Sequence, residues 1–256
     1  MLFRSREISE LADTLDCARK ELSKVEGLRR ELIANVSHDL RTPLTMIAGY
    51  AEMMRDIPDE NKSENVQIII DEAQRLSVLV NDLLDISKME EGTGELVFET
   101  IDLTQTVQRI LTRYTKLVSY EGYKINFSYD RHVFVKGDAL RLGQVIYNLL
   151  NNAINYTGSD KYIEVRQTMD NGYVKISVID SGEGIPKEQM KYIWERYYKV
   201  DKTHKRASIG TGLGLSIVRK ILIQHQAEYG VVSAEGTGSE FWFALPVTMF
   251  EANRYA

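Results

Sequence analysis

Ser37-His38-Asp39-Leu40-Arg41-Thr42-Pro43 lies inside a long helical pattern and decides how the first third of the chain is read. Ile33, Val36, Leu40, Leu44, Ile47, Ala51 and Met54 surround it. At about 100° per residue they fall within about 40° of Leu40 and form one apolar face. His38 is two residues before Leu40, so it projects about 160° away from that face. The pattern therefore predicts a helix that turns a histidine to water. Thr42 is one turn further on and shares the face of His38. Asp39 is adjacent. Pro43 inside a helix costs about 3 kcal/mol, because it removes the hydrogen bond that residue 43 would give the Asp39 carbonyl. An exposed helical histidine alone is ordinary surface. Beside Asp39, Thr42 and a helix-interior proline it reads as a functional feature kept at a cost in stability. The other histidines, His132, His204 and His225, sit in no such polar cluster.

Upstream, Ile8, Leu11, Leu15, Ala18, Leu22 and Val25 are spaced 3-4-3-4-3. This narrow seam favours a coiled coil over an amphipathic helix lying on a globular core. Its phase shifts after Gly27. Downstream, Asp56-Ile57-Pro58-Asp59 breaks the helix, since proline disfavours helical geometry at the residue before it. A second helix is predicted over about 62–89, with Ile68, Leu76, Leu79, Leu83 and Ile86 inward. The two helices form an antiparallel hairpin with more apolar surface than it can cover. A second copy would complete a four-helix bundle.

Glycines are rare before residue 91 and frequent after it, and Gly92-Thr93-Gly94 reads as a linker. Strands are predicted at 96–99, 124–129, 133–135, 162–168, 173–179, 230–233 and 240–245. Helices are predicted at 103–119, 139–155 and 213–226. Helices between antiparallel strands indicate a two-layer α/β sandwich. Hydrophobic residues make up 43% and charged ones 27% of the 256 residues, as in an average globular chain. A net charge of −5 argues against non-specific nucleic-acid binding, which needs clustered cations. The single Cys17 excludes an intramolecular disulfide and fits a reducing compartment. No apolar run approaches the roughly 20 residues needed to cross a bilayer, and the start lacks a signal-peptide core.

Three stretches of the second part carry chemistry. Asn148 and Asn152 are four residues apart, so their amides share a helix face, and amide oxygens are hard ligands suited to Mg²⁺. Taken alone they are also compatible with surface amides. Asp180-Ser181-Gly182-Glu183-Gly184 ends a strand. Its glycines let the backbone approach a ligand closely, and the carboxylate can accept from an exocyclic amine. Gly210-Thr211-Gly212-Leu213-Gly214 opens a helix, where backbone N–H groups and the helix dipole favour phosphate. The terminal Gly236-Thr237-Gly238-Ser239 reads as a structural turn into the last strand.

Asn35-Val36-Ser37-His38-Asp39-Leu40-Arg41-Thr42-Pro43-Leu44-Thr45 resembles the H-box of the sensor histidine kinases of two-component systems. The three later stretches resemble that family's N, G1 and G2 boxes, in the family's order. The resemblance implies His38 as phospho-acceptor with Asp39 assisting and Thr42 serving a phosphatase activity. It implies Asn152 as the Mg²⁺ ligand, Asn148 near the phosphates, Tyr156 against the nucleoside and Asp180 reading adenine. Gly182, Gly184, Gly210, Thr211, Gly212, Leu213 and Gly214 would line the nucleotide. Arg196 and Lys199, in a segment like the family's F-box and lid, would grip the triphosphate, with Lys202, Lys205 and Arg206 as further candidates. Asn155 departs from the pattern, since many relatives carry Lys or Arg there.

The implied fold is an all-α antiparallel hairpin, a four-helix bundle in the homodimer, followed by an α/β sandwich of the Bergerat ATP-binding type. The expected organisation is a signalling helix resembling the HAMP linker over 1–27 and a phosphotransfer domain over 28–91. A linker over 92–95, an ATP domain over 96–250 and a tail over 251–256 follow. The expected cofactors are ATP and Mg²⁺, and the expected partner is a response-regulator receiver domain. The HAMP resemblance implies the cytoplasmic part of a membrane-anchored bacterial sensor. Two rivals stay open: a dimeric scaffold whose ATP fold has decayed, and a clamp-type ATPase.

Overall fold

The computed structural model describes residues 2–60, 62–90, 96–198 and 212–248. The chain divides into two compact units, Met1–Val80 and Asn81–Ala256.

In the first unit, α1 runs unbroken over Leu2–Asp56, with Pro43 inside it. The phase shift at Gly27 therefore does not interrupt the helix. The chain turns through a short 3₁₀ segment at Pro58–Glu60, as the Asp-Ile-Pro-Asp break predicts. Ile57 N–H still donates to the Met53 carbonyl, and the Asn65 amide donates to the Glu60 carbonyl at 2.7 Å. The turn is thus pinned to the start of α2, Ser63–Glu90. The two helices make the predicted hairpin. Leu79 is buried, and Val36, Leu40, Ile47, Ile68 and Leu76 are half-buried. Ile33, Leu44, Val66, Ile70 and Val78 remain exposed, an apolar band that one hairpin does not cover. Of the heptad residues, Leu15 is exposed. The side chains of Ile8, Leu11, Ala18, Leu22 and Val25 lie outside the described residues, as do the linker 92–95 and the tail 251–256. Among the described residues, no helix is long and apolar enough to cross a membrane.

The second unit holds β1 (Glu99–Asp102), α3 (Leu103–Leu111), α4 (Thr115–Glu121), β2 (Lys124–Ser128), β3 (Phe134–Gly137) and α5 (Ala139–Tyr156). Then come β4 (Tyr162–Asp170), β5 (Tyr173–Asp180), α6 (Gly214–Gln224), β6 (Glu228–Ser233) and β7 (Ser239–Pro246). Five strands form a sheet in the order β2-β4-β5-β7-β6, while β1 and β3 pair separately. All pairs are antiparallel except β2 with β4, so the sheet is mixed. Alternate residues point to one covered face: Val174, Ile176 and Val178 on β5, Phe241, Phe243 and Leu245 on β7. That face packs against the apolar faces of the helices, including Val107 of α3, Ile146 and Leu149 of α5, and Ile217 and Ile221 of α6. Burying a side chain of this kind stabilises by roughly 1.5–3 kcal/mol, which fixes the helix layer on the sheet.

Two predicted elements need correction. The strand placed at 96–99 begins only at Glu99. Val97 N–H donates to the Asp138 carboxylate at 3.1 Å, so this stretch anchors on the cap of α5 instead of joining a ladder. The helix placed over 103–119 breaks at the 3₁₀ turn Thr112–Tyr114, which lets the Tyr114 hydroxyl donate to the Asn151 amide at 3.0 Å.

Candidate functional site

His38 stands on the outer face of α1 with 78% of its side chain exposed. Its Nδ1 is 3.3 Å from Oδ1 of Asp39. A carboxylate accepting from Nδ1–H fixes the tautomer in which Nε2 carries the free lone pair. The Thr42 hydroxyl donates to the His38 carbonyl at 3.2 Å, which holds it one turn from the ring. Pro43 is buried on the side away from His38. An apolar-floored groove along the same helix is lined by Leu40, Arg41, Leu44, Thr45 and Ala48.

In the second unit α5 presents the asparagines. Asp138 caps its first turn, accepting from Arg141 N–H at 3.0 Å. Asp138 N–H in turn donates to Nε2 of His225 at 3.0 Å, while Nδ1–H of His225 donates to the Ile221 carbonyl at 2.8 Å. The buried His225 therefore ties the start of α5 to the end of α6. Periodicity gave no sign of this role, because the partners are 87 residues apart in sequence. His225→Phe leaves the Asp138 N–H buried without an acceptor and is expected to cost about 2–3 kcal/mol. A drop in the melting temperature of roughly 5–10 °C in the ligand-free chain would check it.

Asn148 and Asn152 lie half-buried on one face of α5. The Asn148 amide reaches the Gly214 carbonyl at 3.5 Å, so the asparagine face meets the first turn of α6. That turn has no side-chain cap, and Ser216 Oγ donates back to the Leu213 carbonyl at 2.7 Å. The Leu213 side chain is wholly buried in the core, so it has only main-chain groups to offer a ligand. Gly212 precedes it with φ at 69°. Tyr156 closes α5 with its side chain partly exposed.

Asp180 ends β5 and is only 4% exposed. Its carboxylate accepts from Gly182 N–H at 2.9 Å. Burial pushes its pKa up to about 6, against the pull of the Gly182 and Ser239 backbone groups. Gly184 follows at φ 74°, where a Cβ would meet the Ala234 carbonyl oxygen at 2.0 Å. Ser239 does more than end the turn into β7, since its backbone faces the Asp180 carboxylate. Arg196 is exposed at the end of the segment that follows. The expectations on Lys199, Gly210 and Thr211, and on Lys202, Lys205 and Arg206, lie outside the described residues.

Within this unit Asn148, Asn152, Tyr156, Asp180, Gly182 and Gly214 belong to four neighbouring segments: α5, the end of β5, the loop after it and the start of α6. A buried carboxyl, hard amide oxygens and main-chain N–H groups at a helix start are a set that suits a purine ring, a cation and phosphates in turn.

Comparison with known proteins identifies both units. Residues 137–249 match the family described as histidine kinase-, DNA gyrase B- and HSP90-like ATPase. Residues 28–92 match the His Kinase A (phospho-acceptor) domain. The sensor protein kinase WalK of Staphylococcus aureus is 34% identical over 236 residues, which is 90% of this chain and 57% of that sequence. The chain thus spans little more than half the length of this relative. Among solved structures, the histidine kinase ThkA in complex with the response regulator TrrA superposes over 85% of this chain and 61% of that one, with a TM-score of 0.67 at 26% identity. ShkA in complex with AMPPNP matches over 85% of this chain and 46% of that one, with a TM-score of 0.61 at 25% identity. A phospho-acceptor domain followed by an ATPase domain is the order in which the two matches fall, and the chain belongs to the sensor histidine kinases of two-component signalling.

Proposed function

We propose that this chain is an ATP-dependent protein-histidine kinase that phosphorylates its own His38 and hands the phosphoryl group to an aspartate of a response regulator. The observation that carries the reading is the outward imidazole of His38 with Nδ1 against Asp39. The Nε2 lone pair attacks the γ-phosphorus of ATP. A nitrogen–phosphorus bond forms, the bond to the β,γ-bridging oxygen breaks, and ADP leaves with that electron pair. Asp39 stabilises the positive charge that develops on the ring. Little covalent chemistry falls to the protein, so positioning and charge neutralisation dominate.

The nucleotide is read by Asp180 at the adenine edge and flanked by Tyr156. Main-chain N–H groups at Gly212 and Gly214 receive its phosphates, and Gly182 and Gly184 shape the loop. Asn148 stands by the phosphates. Arg196, Lys199, Gly210 and Thr211 are proposed to complete the grip. Asn152 fits Mg²⁺, because an amide oxygen with phosphates and waters is the donor set that ion prefers. Bound there, the ion would neutralise phosphate charge. Asn148 argues against a clamp ATPase, since an amide cannot accept a proton from water at neutral pH.

The uncovered band with Ile33, Leu44, Val66, Ile70 and Val78 supports a homodimer built on the hairpins. The exposure of the His38 side chain supports access by the receiver domain. By its HAMP-like start the chain is proposed to be the cytoplasmic part of a membrane-anchored sensor.

The test is incubation with ATP labelled in the γ-phosphate. An acid-labile, alkali-stable label on the chain supports the kinase; no label overturns it. Thr42 supports a further role, orienting a water against the regulator's aspartyl phosphate. Thr42→Ala is expected to slow dephosphorylation of the regulator about tenfold or more and to spare His38 labelling. Equal loss of both activities rejects that role.

A further inference from the structure

The end of α5 and the loop after β5 are locked together by a hydroxyl pair that no nucleotide role yet accounts for. Thr157 is buried, and its hydroxyl donates to the Tyr162 carbonyl at 2.9 Å. It also lies 3.1 Å from the hydroxyl of Ser181. Ser181 Oγ donates to the Asp160 carboxylate. Two hydroxyl protons thus serve three contacts. An ionised Asp160 takes the Ser181 proton and orders the set. The Ser181 bond holds the Asp160 carboxyl below its usual range.

The backbones touch as well. A Cβ on Gly182 would lie 2.0 Å from the Tyr156 carbonyl oxygen, and one on Gly158 would lie 2.8 Å from the Ser181 carbonyl oxygen. Only glycine allows this approach on either side. The residues so joined are immediate neighbours of two others. Tyr156 precedes Thr157, and Asp180 precedes Ser181. On its far side Asp180 is gripped by the turn into β7, where its carbonyl stands against Gly238.

We infer that Thr157, Ser181 and Asp160 form a positioning lock that sets the separation between Tyr156 and the Asp180 carboxylate, and so determines selectivity for adenine over other purines. The inference rests on the nucleotide reading above and extends it. None of the three needs to touch the nucleotide. They act through the residues beside them, by fixing a gap whose width must match one base. Asp180 selects an exocyclic amine only if the ring is held at the right depth. An untethered loop could retreat and accept a base that presents a carbonyl instead.

The test measures dissociation constants of the full chain for ATP and GTP by displacement of a fluorescent ATP analogue. Thr157→Val keeps the shape and removes the hydroxyl. It is expected to weaken ATP about five- to tenfold, as loss of one buried hydrogen bond would. It is also expected to leave GTP nearly unmoved, so that the ATP-to-GTP preference falls by a similar factor. Thr157→Ser is expected to restore both values. Asp160→Asn, at an exposed residue that does not threaten folding, is expected to shift the preference the same way by a smaller factor. An unchanged ATP-to-GTP preference in Thr157→Val and Asp160→Asn overturns the lock, as does Thr157→Ser behaving like the valine variant. A chain that shows the expected discrimination but never labels His38 overturns the kinase reading and leaves the lock standing.

Discussion

Replacing His38 with glutamine is expected to abolish phosphoryl incorporation while leaving ATP affinity within about twofold of the parent. The side chain is exposed and makes one polar contact, to Asp39, so the fold loses almost nothing when it is replaced. An exposed substitution of this kind stays within about 0.5 kcal/mol. The chemistry loses everything, because an amide nitrogen has no lone pair with which to attack phosphorus. A drop of at least a thousandfold in label, with unchanged ATP binding and unchanged melting temperature, is the expected pattern. Asp39→Asn separates the ring's orientation from its charge. Its amide can still hold the ring but cannot offset a developing imidazolium, and a fall of about tenfold to a hundredfold is expected. Label retained in His38→Gln would move the acceptor elsewhere and remove the basis of the reading.

The helical hairpin was legible because its signals are local. The apolar stripe through Leu40 and the Asp-Ile-Pro-Asp break depend on neighbours within a few turns, and α1 and α2 begin and end near the expected residues. The exposure of His38 followed from the same stripe. What periodicity could not reveal are contacts between distant segments. The pairing of β2 with β4 in parallel leaves no trace in either strand. Leu96-Val97-Phe98 looks like the start of a strand, yet Val97 spends its N–H on Asp138, 41 residues later. Thr112-Arg113-Tyr114 contains neither glycine nor proline, so nothing local announced the end of α3. The break serves a tertiary bond, from Tyr114 to Asn151.

The candidate site divides along the same line. Asn148, Asn152, Asp180 and the glycines stand in short strings whose chemistry can be read residue by residue. The supports of those strings cannot. His225 was one histidine at the end of an amphipathic helix, and Ser239 one serine after a glycine turn. Each matters because the fold brings it to Asp138 or Asp180. A residue that holds another in place has no signature of its own until the partner is known.

Asp180 carries the clearest dependence on pH. Its carboxyl titrates near 6 because burial disfavours the charge. Accepting from an adenine amine requires the ionised form. ATP affinity is therefore expected to be flat above pH 7 and to fall about tenfold per pH unit below 6. Stability runs the other way. With its pKa raised in the fold, this group's contribution is fully present below the unfolded value near 4 and lost as pH rises through 6, on the order of 3 kcal/mol. The ligand-free fold thus bears the cost of an ionised, buried carboxylate at neutral pH, and that charge is what binds the nucleotide. Asp180→Asn tests both halves at once. At pH 7.5 it is expected to raise the melting temperature of the ligand-free chain and to weaken ATP about tenfold to a hundredfold, the loss expected for a hydrogen bond to a charged acceptor. The variant should also lose the acid limb of the binding curve. Calorimetric titration of ATP from pH 5 to 8, beside thermal melts without nucleotide, checks it. A parent curve flat to pH 5, or a variant that binds ATP as tightly as the parent, would take adenine recognition away from Asp180.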